Sequence, residues 1–339
     1  MDDRPRLTVI LPSLNGGPVL RRHLPSVAGQ ARAFPGGAEV IVVDDASPLP
    51  EDDTADVVRA AGEPVRLLRR ERWGGFPAAC NTGAAAGRGR LLLFLNIDME
   101  PGDEMFRILA DRLEEDPRLF GVTPVIENVA GGFYESTTRA RWQRGGFDLV
   151  FPGREGVPPP GPGTVRPLAY GCGGALLCRA DRFRAIGGFS LLLAPFYWED
   201  ADLGWQALRE GWPTVEVGDA RARHEHQATI GVHFSREEVR RVHERNRVLF
   251  TWVHLAGARP LLEHLAWLPV RWLAAVVRGK PARYGIPAAL RRLPAALALR
   301  RQRSASLPAA RRLLAAVRSA GPGGWAPSPR GFAAAAGVD

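Results

Sequence analysis

Three clusters of side chains in the 339-residue chain have the types and spacing to do chemistry. Asp44 and Asp45 close a short apolar run, and two carboxylates there suit hydrogen-bond acceptance from a nucleobase imide or from ribose hydroxyls. Asp-Asp-x-Ser is equally good turn and capping chemistry. Asp98, just past the apolar run 91–95, has no use in a core and suits a hard cation that bridges a diphosphate. Asn96 offers a neutral amide oxygen on the same side by strand periodicity, although a turn ahead of Pro101-Gly102 also accounts for the pair. Glu199, Asp200 and Asp202 open a helix expected to run to about residue 211. Acids in a first turn gain about 0.3–1 kcal/mol from the helix dipole. Glu199 and Asp202 share one face while Asp200 is turned about 100° away, so the three acids do not share one job.

The elements that must position these groups alternate. Runs 7–11, 39–43, 65–68 and 91–95 are short, apolar and partly β-branched, as strands buried on both faces are. Helical patterns at 18–31, 53–61, 77–87 and 103–115 separate them, which predicts an α/β fold with a mostly parallel sheet and right-handed crossovers. Ligands of such sheets bind beyond the carboxyl ends of the strands. Pro12 to Gly17, Asp44 to Ser47 and Asn96 to Asp98 all follow strands, so three polar clusters converge on one edge. No G-x-G-x-x-G follows the first strand and its Gly-rich turn lacks a lysine, which excludes dinucleotide and Walker-type readings.

Charge separates the chain into body and tail. Residues 257–339 carry 14 basic residues against Glu263 and Asp339, a balance of +12, whereas residues 1–256 carry −3. Helical patterns at 261–278, 286–303 and 307–320 mix Leu, Ala and Val with Arg pairs, and Pro287 and Pro308 sit where helices would begin. Basic amphipathic helices suit an anionic membrane surface; packing on the body with a solvated arginine face is the alternative. Nucleic acid is not the expected partner, because Trp267, Trp272, Tyr284 and Trp325 do not interleave with the arginine clusters. The stretch 321–339 is rich in Gly, Pro, Ser and Ala and is expected to fray. The apolar stretch 261–277 is interrupted by Glu263, His264, Pro269 and Arg271 and is too short to span a bilayer. The N-terminus lacks the pattern of a signal peptide, and the expected location is cytoplasmic, peripheral on the inner face of the membrane. Cys80, Cys172 and Cys178 read as small buried residues, since their number and spacing suit neither disulfides nor zinc. Residues 128–168 show little periodicity and are too long for a simple connection.

Taken in order, LTVILPSLNGG, EVIVVDDASP, RWGGFPAACNTGAAAGRGRLLLFLNIDMEP, YGCGGALLCRADRFRAIGGFS and FYWEDADLGWQALREGWPTVEVGDARARHEH resemble the family-2 inverting glycosyltransferases, from about residue 6 to residue 256. Within that family the chain is most similar to the rhamnosyltransferase-like branch, which commonly has Asn-x-Asp in place of Asp-x-Asp. The resemblance implies a GT-A fold at 1–256, followed by a basic helical extension at 257–320 and the tail 321–339. It further implies a nucleotide-diphosphate sugar donor, Mg²⁺ or Mn²⁺, and single displacement with inversion onto a glycan or lipid-linked acceptor, in cell-surface polysaccharide or glycolipid assembly.

Carried over residue by residue, the likeness makes Pro12, Ser13 and Asn15 the loop lining the nucleotide and Asp44 or Asp45 the acidic contact to base or ribose. Gly75 and Asn81 pack under the same nucleotide, with Pro77 a small departure. Asp98 matches the metal-binding aspartate; Asn96 departs from the two-carboxylate motif and leaves one negative charge fewer for the ion. Asp200 matches the general base, and Glu199 the group that orients the acceptor. Asp202 is left to the helix start or to an arginine. His224 matches a third metal ligand of some relatives, with His226 as its substitute, and residues 128–168 face the acceptor. The rival readings are a sugar-phosphate nucleotidyltransferase, whose basic Gly-rich first loop is missing, and a nucleotide-sugar-binding membrane scaffold without turnover.

Overall fold

The computed structural model describes residues 4–47, 52–225, 233–280, 282–303, 307–320 and 323–328. Strands β1 (Leu7–Ser13), β2 (Ala38–Asp44), β3 (Val65–Arg69) and β4 (Leu91–Leu95) form the parallel half of a ten-stranded sheet, in the order β3-β2-β1-β4. Helices α1 (Gly17–Ala33), α2 (Thr54–Ala61) and α3 (Phe76–Ala86) connect them, at the places their hydrophobic periodicity predicts. The chain continues through β5 (Met99–Pro101), α4 (Met105–Glu115), β6 (Gly121–Asn128), β7 (Phe133–Tyr134), β8 (Arg139–Gln143), β9 (Gly146–Val150), β10 (Val165–Leu168), β11 (Ala175–Arg179), α5 (Ala180–Ala185), α6 (Glu199–Arg209), β12 (Thr214–His224) and α7 (Arg236–His254). Strand β11 runs antiparallel between β4 and β6, β12 runs parallel to β6, and β10 closes that edge.

Alternation along the strands divides the core into two layers. Leu7, Val9 and Leu11 of β1 meet Leu20, Leu24 and Val27 of α1 on one face, with Phe106 and Leu109 of α4 beside them. On the other face Ile10, Ile41 and Val43 meet Ala79, Cys80 and Ala84 of α3 and Leu203 and Ala207 of α6. The parallel register aligns Ser13 with Asp44 at the carboxyl ends, so the polar loops that follow share one edge.

Two regions differ from what the sequence suggests. The stretch 128–168 holds a β8–β9 hairpin closed by Arg144 and Gly145, both at positive φ. That geometry is the two-residue turn that matches strand twist, and a glycine supplies it without a Cβ clash. In the tail, the helices are α8 (Ala258–Val277), α9 (Ala282–Leu290), α10 (Leu293–Gln302) and α11 (Leu307–Ser319), so the expected helix at 286–303 is two helices. Pro287 lies inside α9 rather than at a start, while Pro294 occupies the first turn of α10 where its missing N–H costs nothing.

Arg291, Arg301, Arg311 and Arg312 are exposed, as a solvated arginine face requires, but other arginines of this tail turn to the body. Arg292 donates to Leu192 O at 2.8 Å, Arg300 to Trp252 O at 3.0 Å, and Arg303 to both carboxylate oxygens of Asp202 at 2.7 and 3.1 Å. Their cations satisfy carbonyls and a carboxylate of the body. Ile286, Ala289, Ala296, Leu313, Leu314 and Val317 share a buried cluster with Trp205 of α6 and Val248, Leu249 and Phe250 of α7, so a seam at residue 256 cuts through one packed core. Within 321–339, Trp325 exchanges backbone hydrogen bonds with Ala140 at 2.6 and 2.9 Å; residues 329–339 lie outside the described residues.

Candidate active site

Two cavities adjoin at the carboxyl edge of the sheet. The first, about 580 Å³, is lined by Pro12, Ser13, Asp45, Gly75, Asn96 and Asp98, with Trp73 and Phe234 as aromatic walls. The second, about 860 Å³, is lined by Glu135, Arg154, Tyr170, Glu199, Asp200 and Lys280 among others. Phe76, Asn96, Phe196, Tyr197, His224 and Arg240 border both, so a molecule in one can touch a molecule in the other.

The adjacent acids at the end of β2 part company. Asp45 faces the first cavity, but its carboxylate accepts from Gly75 N at 2.6 Å, from Gly74 N at 3.1 Å and from Arg70. It thereby fixes the loop 70–75. Gly75 adopts φ +79°, and a Cβ there would come within 2.4 Å of Pro195 O, so only glycine fits. Asp44 turns away and lines neither cavity; Arg69 donates to it at 2.6 Å and Ser47 N at 2.9 Å. Asn15 also stays outside the cavity, and its backbone N–H donates to Ser47 Oγ at 2.7 Å. Asn81 bonds both backbone groups of Phe189, at 2.8 and 3.0 Å, and is a brace between α3 and residue 189. Ser13 Oγ is buried without a hydrogen-bond partner at the cavity wall.

Strand pairing brings the candidate metal ligands together. His224 ends β12 opposite Met99 of β5 and Asn128 of β6, which sets its imidazole Nε2 3.2 Å from Asp98 Oδ1. Its Nδ1 bonds Glu135, a buried carboxylate that also accepts from Asn128 Nδ2 at 3.0 Å. Burial opposes a charge on the imidazole, but hydrogen bonds to Asp98 and Glu135 outweigh it and push its pKa up to about 9. Once Nε2 gives up the proton it shares with Asp98, the carboxylate oxygen and the imidazole nitrogen at this spacing fit two neighbouring ligands of Mg²⁺ or Mn²⁺, and a carboxylate on the far ring nitrogen is the usual way to orient a ligating histidine. Among the described residues no three His, Cys, Asp or Glu side chains make a fuller cation cage, so an ion here depends on ligand oxygens for the rest of its shell. His226 lies outside the described residues.

On the second cavity Glu199 and Asp200 start α6 behind a strained turn. Tyr197 and Trp198 both have positive φ, 68° and 75°, a conformation costly for bulky residues. Asn246 of α7, fully buried, donates to Phe196 O at 2.9 Å and Tyr197 O at 2.8 Å and holds that turn in place. Burial raises the Asp200 carboxyl to about 6, against hydrogen bonds from the Gly173 and Ala201 amides at 3.3 and 2.7 Å. Burial and the Asp200 charge push Glu199 far above the usual carboxylate range, and its Oε2 has no partner. The two carboxyls therefore hold on to a first proton more strongly than isolated carboxylates do. Asp202 is elsewhere altogether: buried, it accepts from His254 Nε2 at 2.7 Å and from Arg303, which hold it below the ordinary range although burial pulls the other way.

Sequence reasoning placed Asp98, His224, Glu199 and Asp200 but did not find Glu135, Arg240 or Asn246. Glu135 lies in the stretch without periodicity, and only the Arg144-Gly145 turn between aromatic residues could have revealed strands near it. Arg240 follows a capping box, Ser235 with Glu238, that was legible as a helix start.

Comparisons with known proteins agree with this architecture. Residues 8–164 match the family model described as glycosyl transferase family 2. Polypeptide N-acetylgalactosaminyltransferase 13 of Rattus norvegicus is 31% identical over 116 residues, which is 33% of this chain and 20% of that protein. The match thus spans about a fifth of the length of the curated relative. Among solved structures, GalNAc-T7 with UDP, GalNAc and Mn²⁺ aligns with a TM-score of 0.56 at 17% identity, over 75% of this chain and 48% of that one. Mannosyltransferase PcManGT from Pyrobaculum calidifontis, in complex with GDP-Man and Mn²⁺, aligns at 0.50 and 19% identity over 91% of this chain and 87% of its own. S. aureus TarS 1–349 in complex with UDP-GlcNAc gives 0.51 and 18% identity over 76% and 69%. At such identities the likeness is one of fold. The mixed sheet with helices on both faces is a GT-A fold.

Proposed function

We propose that the protein is an inverting glycosyltransferase that moves a sugar from a nucleoside-diphosphate donor in the first cavity to a hydroxyl of an acceptor in the second. The observation that carries this reading is the junction of the two cavities, with Asp98 and His224 on one side and Glu199 and Asp200 on the other. Asp200, ionised above pH about 6, takes the proton of the attacking hydroxyl, and Glu199 beside it orients the acceptor. Arg240, which borders both cavities, faces the charge that develops on the departing diphosphate. Trp73 and Phe234 offer flat faces to the base, and Asp45 shapes the loop beside it. Asp98 and His224 would hold Mg²⁺ or Mn²⁺, which when bound would supply charge neutralisation at the diphosphate. GDP-Man, UDP and UDP-GlcNAc, bound by the structural neighbours, set the donor classes to try first, with hexosyl and rhamnosyl nucleotides as the sugars.

The acceptor is a glycan or lipid-linked glycan of cell-surface polysaccharide or glycolipid assembly, met at the inner face of a membrane. Among the described residues no helix is long and apolar enough to cross a membrane, which is what a peripheral enzyme requires. Donor affinity and single-turnover transfer, measured for the parent and Asp200→Asn, test the assignment. Donor binding persists and transfer collapses if Asp200 is the base. Transfer at the parent rate in Asp200→Asn with a dead Glu199→Gln moves that role to Glu199.

A further inference from the structure

Helix α8 is built inside out. Over Ala258–Val277 only His264 and Ala275 are buried, and the groups it turns to the body mix polar Glu263, His264 and Arg271 with Leu268, Ala274 and Ala275. Glu263 accepts from Trp142 Nε1 at 2.8 Å and from Arg318 at 2.6 and 2.7 Å. His264 accepts from Trp252 Nε1 at 2.8 Å and donates to Gly145 O at 2.6 Å. Outward, Leu262, Leu265, Val270, Leu273 and Val277 are 51–77% exposed. Residues 262, 265, 266, 269, 273 and 276 follow the i, i+3, i+4, i+7 spacing that ordinarily marks the face a helix gives to a core. Here that face meets solvent, over a length of about 22 Å at 1.5 Å per residue.

What borders the strip identifies what covers it. Trp267 and Trp272 are each 41% exposed and Tyr284 45%. Arg278, Lys280 and Arg283 follow the helix directly, with Arg283 over the Tyr284 ring at 4.7 Å. An apolar strip edged by Trp, Tyr and basic residues is the composition of a helix lying in the boundary between lipid headgroups and acyl chains. A protein partner would not call for that rim of cations, whereas an anionic bilayer complements it. Lys280, three residues past the end of α8, lines the second cavity, so the strip ends at that cavity's rim.

We propose that α8 seats the protein on an anionic bilayer by insertion of its apolar face, and that the second cavity therefore receives its acceptor from the lipid surface, as the head of a lipid-anchored glycan. The seat stands on the helix alone; the acceptor class rests on the sugar-transfer reading above. Co-sedimentation of the full chain with vesicles of phosphatidylcholine and phosphatidylglycerol tests the seat. The parent binds, raised salt weakens binding without abolishing it, and Leu265→Glu with Leu273→Glu lowers binding at least tenfold while nucleotide affinity stays at the parent value. Complete release by salt, or parent-level binding by the double variant, overturns insertion. A dimer in solution that the same substitutions dissolve, with no vesicle binding by the parent, assigns the strip to a second copy and overturns the proposal. Transfer to hexadecyl glycosides in vesicles, compared with methyl glycosides in solution, tests the acceptor class. A preference of tenfold or more that the double variant loses supports it, and equal rates overturn it with the seat left standing. Donor hydrolysis reports separately on the chemistry, since neither substituted leucine lines a cavity.

Discussion

Asp200 and Asp202 stand two residues apart on the first turn of α6, and the two sides of that helix treat a carboxylate in opposite ways. On the cavity side burial is met by two backbone amides and a neighbouring acid, and the Asp200 pKa rises to about 6. On the tail side burial is met by Arg303 and His254, and the Asp202 pKa falls below the ordinary range. Burial is common to both; a cationic partner is what separates a carboxylate poised to exchange a proton from one locked as an anion. At the end of β2, by contrast, both neighbours have an arginine partner: Arg69 holds Asp44 outside the cavities, and Arg70 holds Asp45 beside the first cavity, where it organises the loop 70–75.

The largest effect that would sharpen this contrast is kinetic. Asp200→Asn lowers single-turnover transfer by about 10²–10⁴-fold with donor affinity retained, as removal of a general base does. In the parent, transfer falls about tenfold per pH unit below about 6, because protonation of Asp200 removes the base form. A flat profile through that region would break the contrast from the cavity side. Asp202→Asn is expected to act on folding instead. It leaves Arg303 buried against an amide and costs about 3–5 kcal/mol in denaturant titrations. Because the Asp202 pKa is depressed in the folded state, its contribution is full above the ordinary carboxylate value of about 3.9 and fades as pH falls below it, so parent and variant converge in acid.

A smaller effect is expected at Glu135. Glu135→Gln keeps the hydrogen bond to His224 but removes the charge, and Mn²⁺ affinity measured by titration with nucleoside diphosphate drops by about 10–100-fold. Asp98→Ala removes the metal dependence of nucleotide affinity altogether, which separates the ligand from the residue that orients its neighbour. The smallest change is at Asp44→Asn. It shifts the unfolding midpoint and leaves nucleotide affinity within about twofold, since Asp44 lines neither cavity.

The parallel half of the sheet was legible because strands buried on both faces write continuous apolar runs, and the loops after β1, β2 and β4 then had to gather at one edge. Asp98 and Asp200 followed from that geometry and from the family likeness. The choice between Asp44 and Asp45 was not legible, because adjacent residues at a strand end point to opposite sides and only the finished sheet says which side holds the cavity. Glu135 was hidden by a stretch whose short strands β7 to β10 are too brief to write a period. The tail misled for a physical reason. Arginine between aliphatic residues reads as a solvated face, yet Arg292, Arg300 and Arg303 find carbonyl and carboxylate acceptors about 50 to 100 residues away in sequence, which no local pattern encodes.

The Arg303–Asp202 pair has a bearing on protein engineering. A chimera that keeps this catalytic body but exchanges its anchoring segment has to replace α8 in place and keep α9 to α11, not splice at the charge boundary near 256, because Arg303 and the buried Leu313, Leu314 and Val317 belong to the core of the body. A splice at the earlier point would strand a buried anion two residues from Asp200, and a loss of turnover in such a hybrid would report a damaged splice rather than a mismatched acceptor.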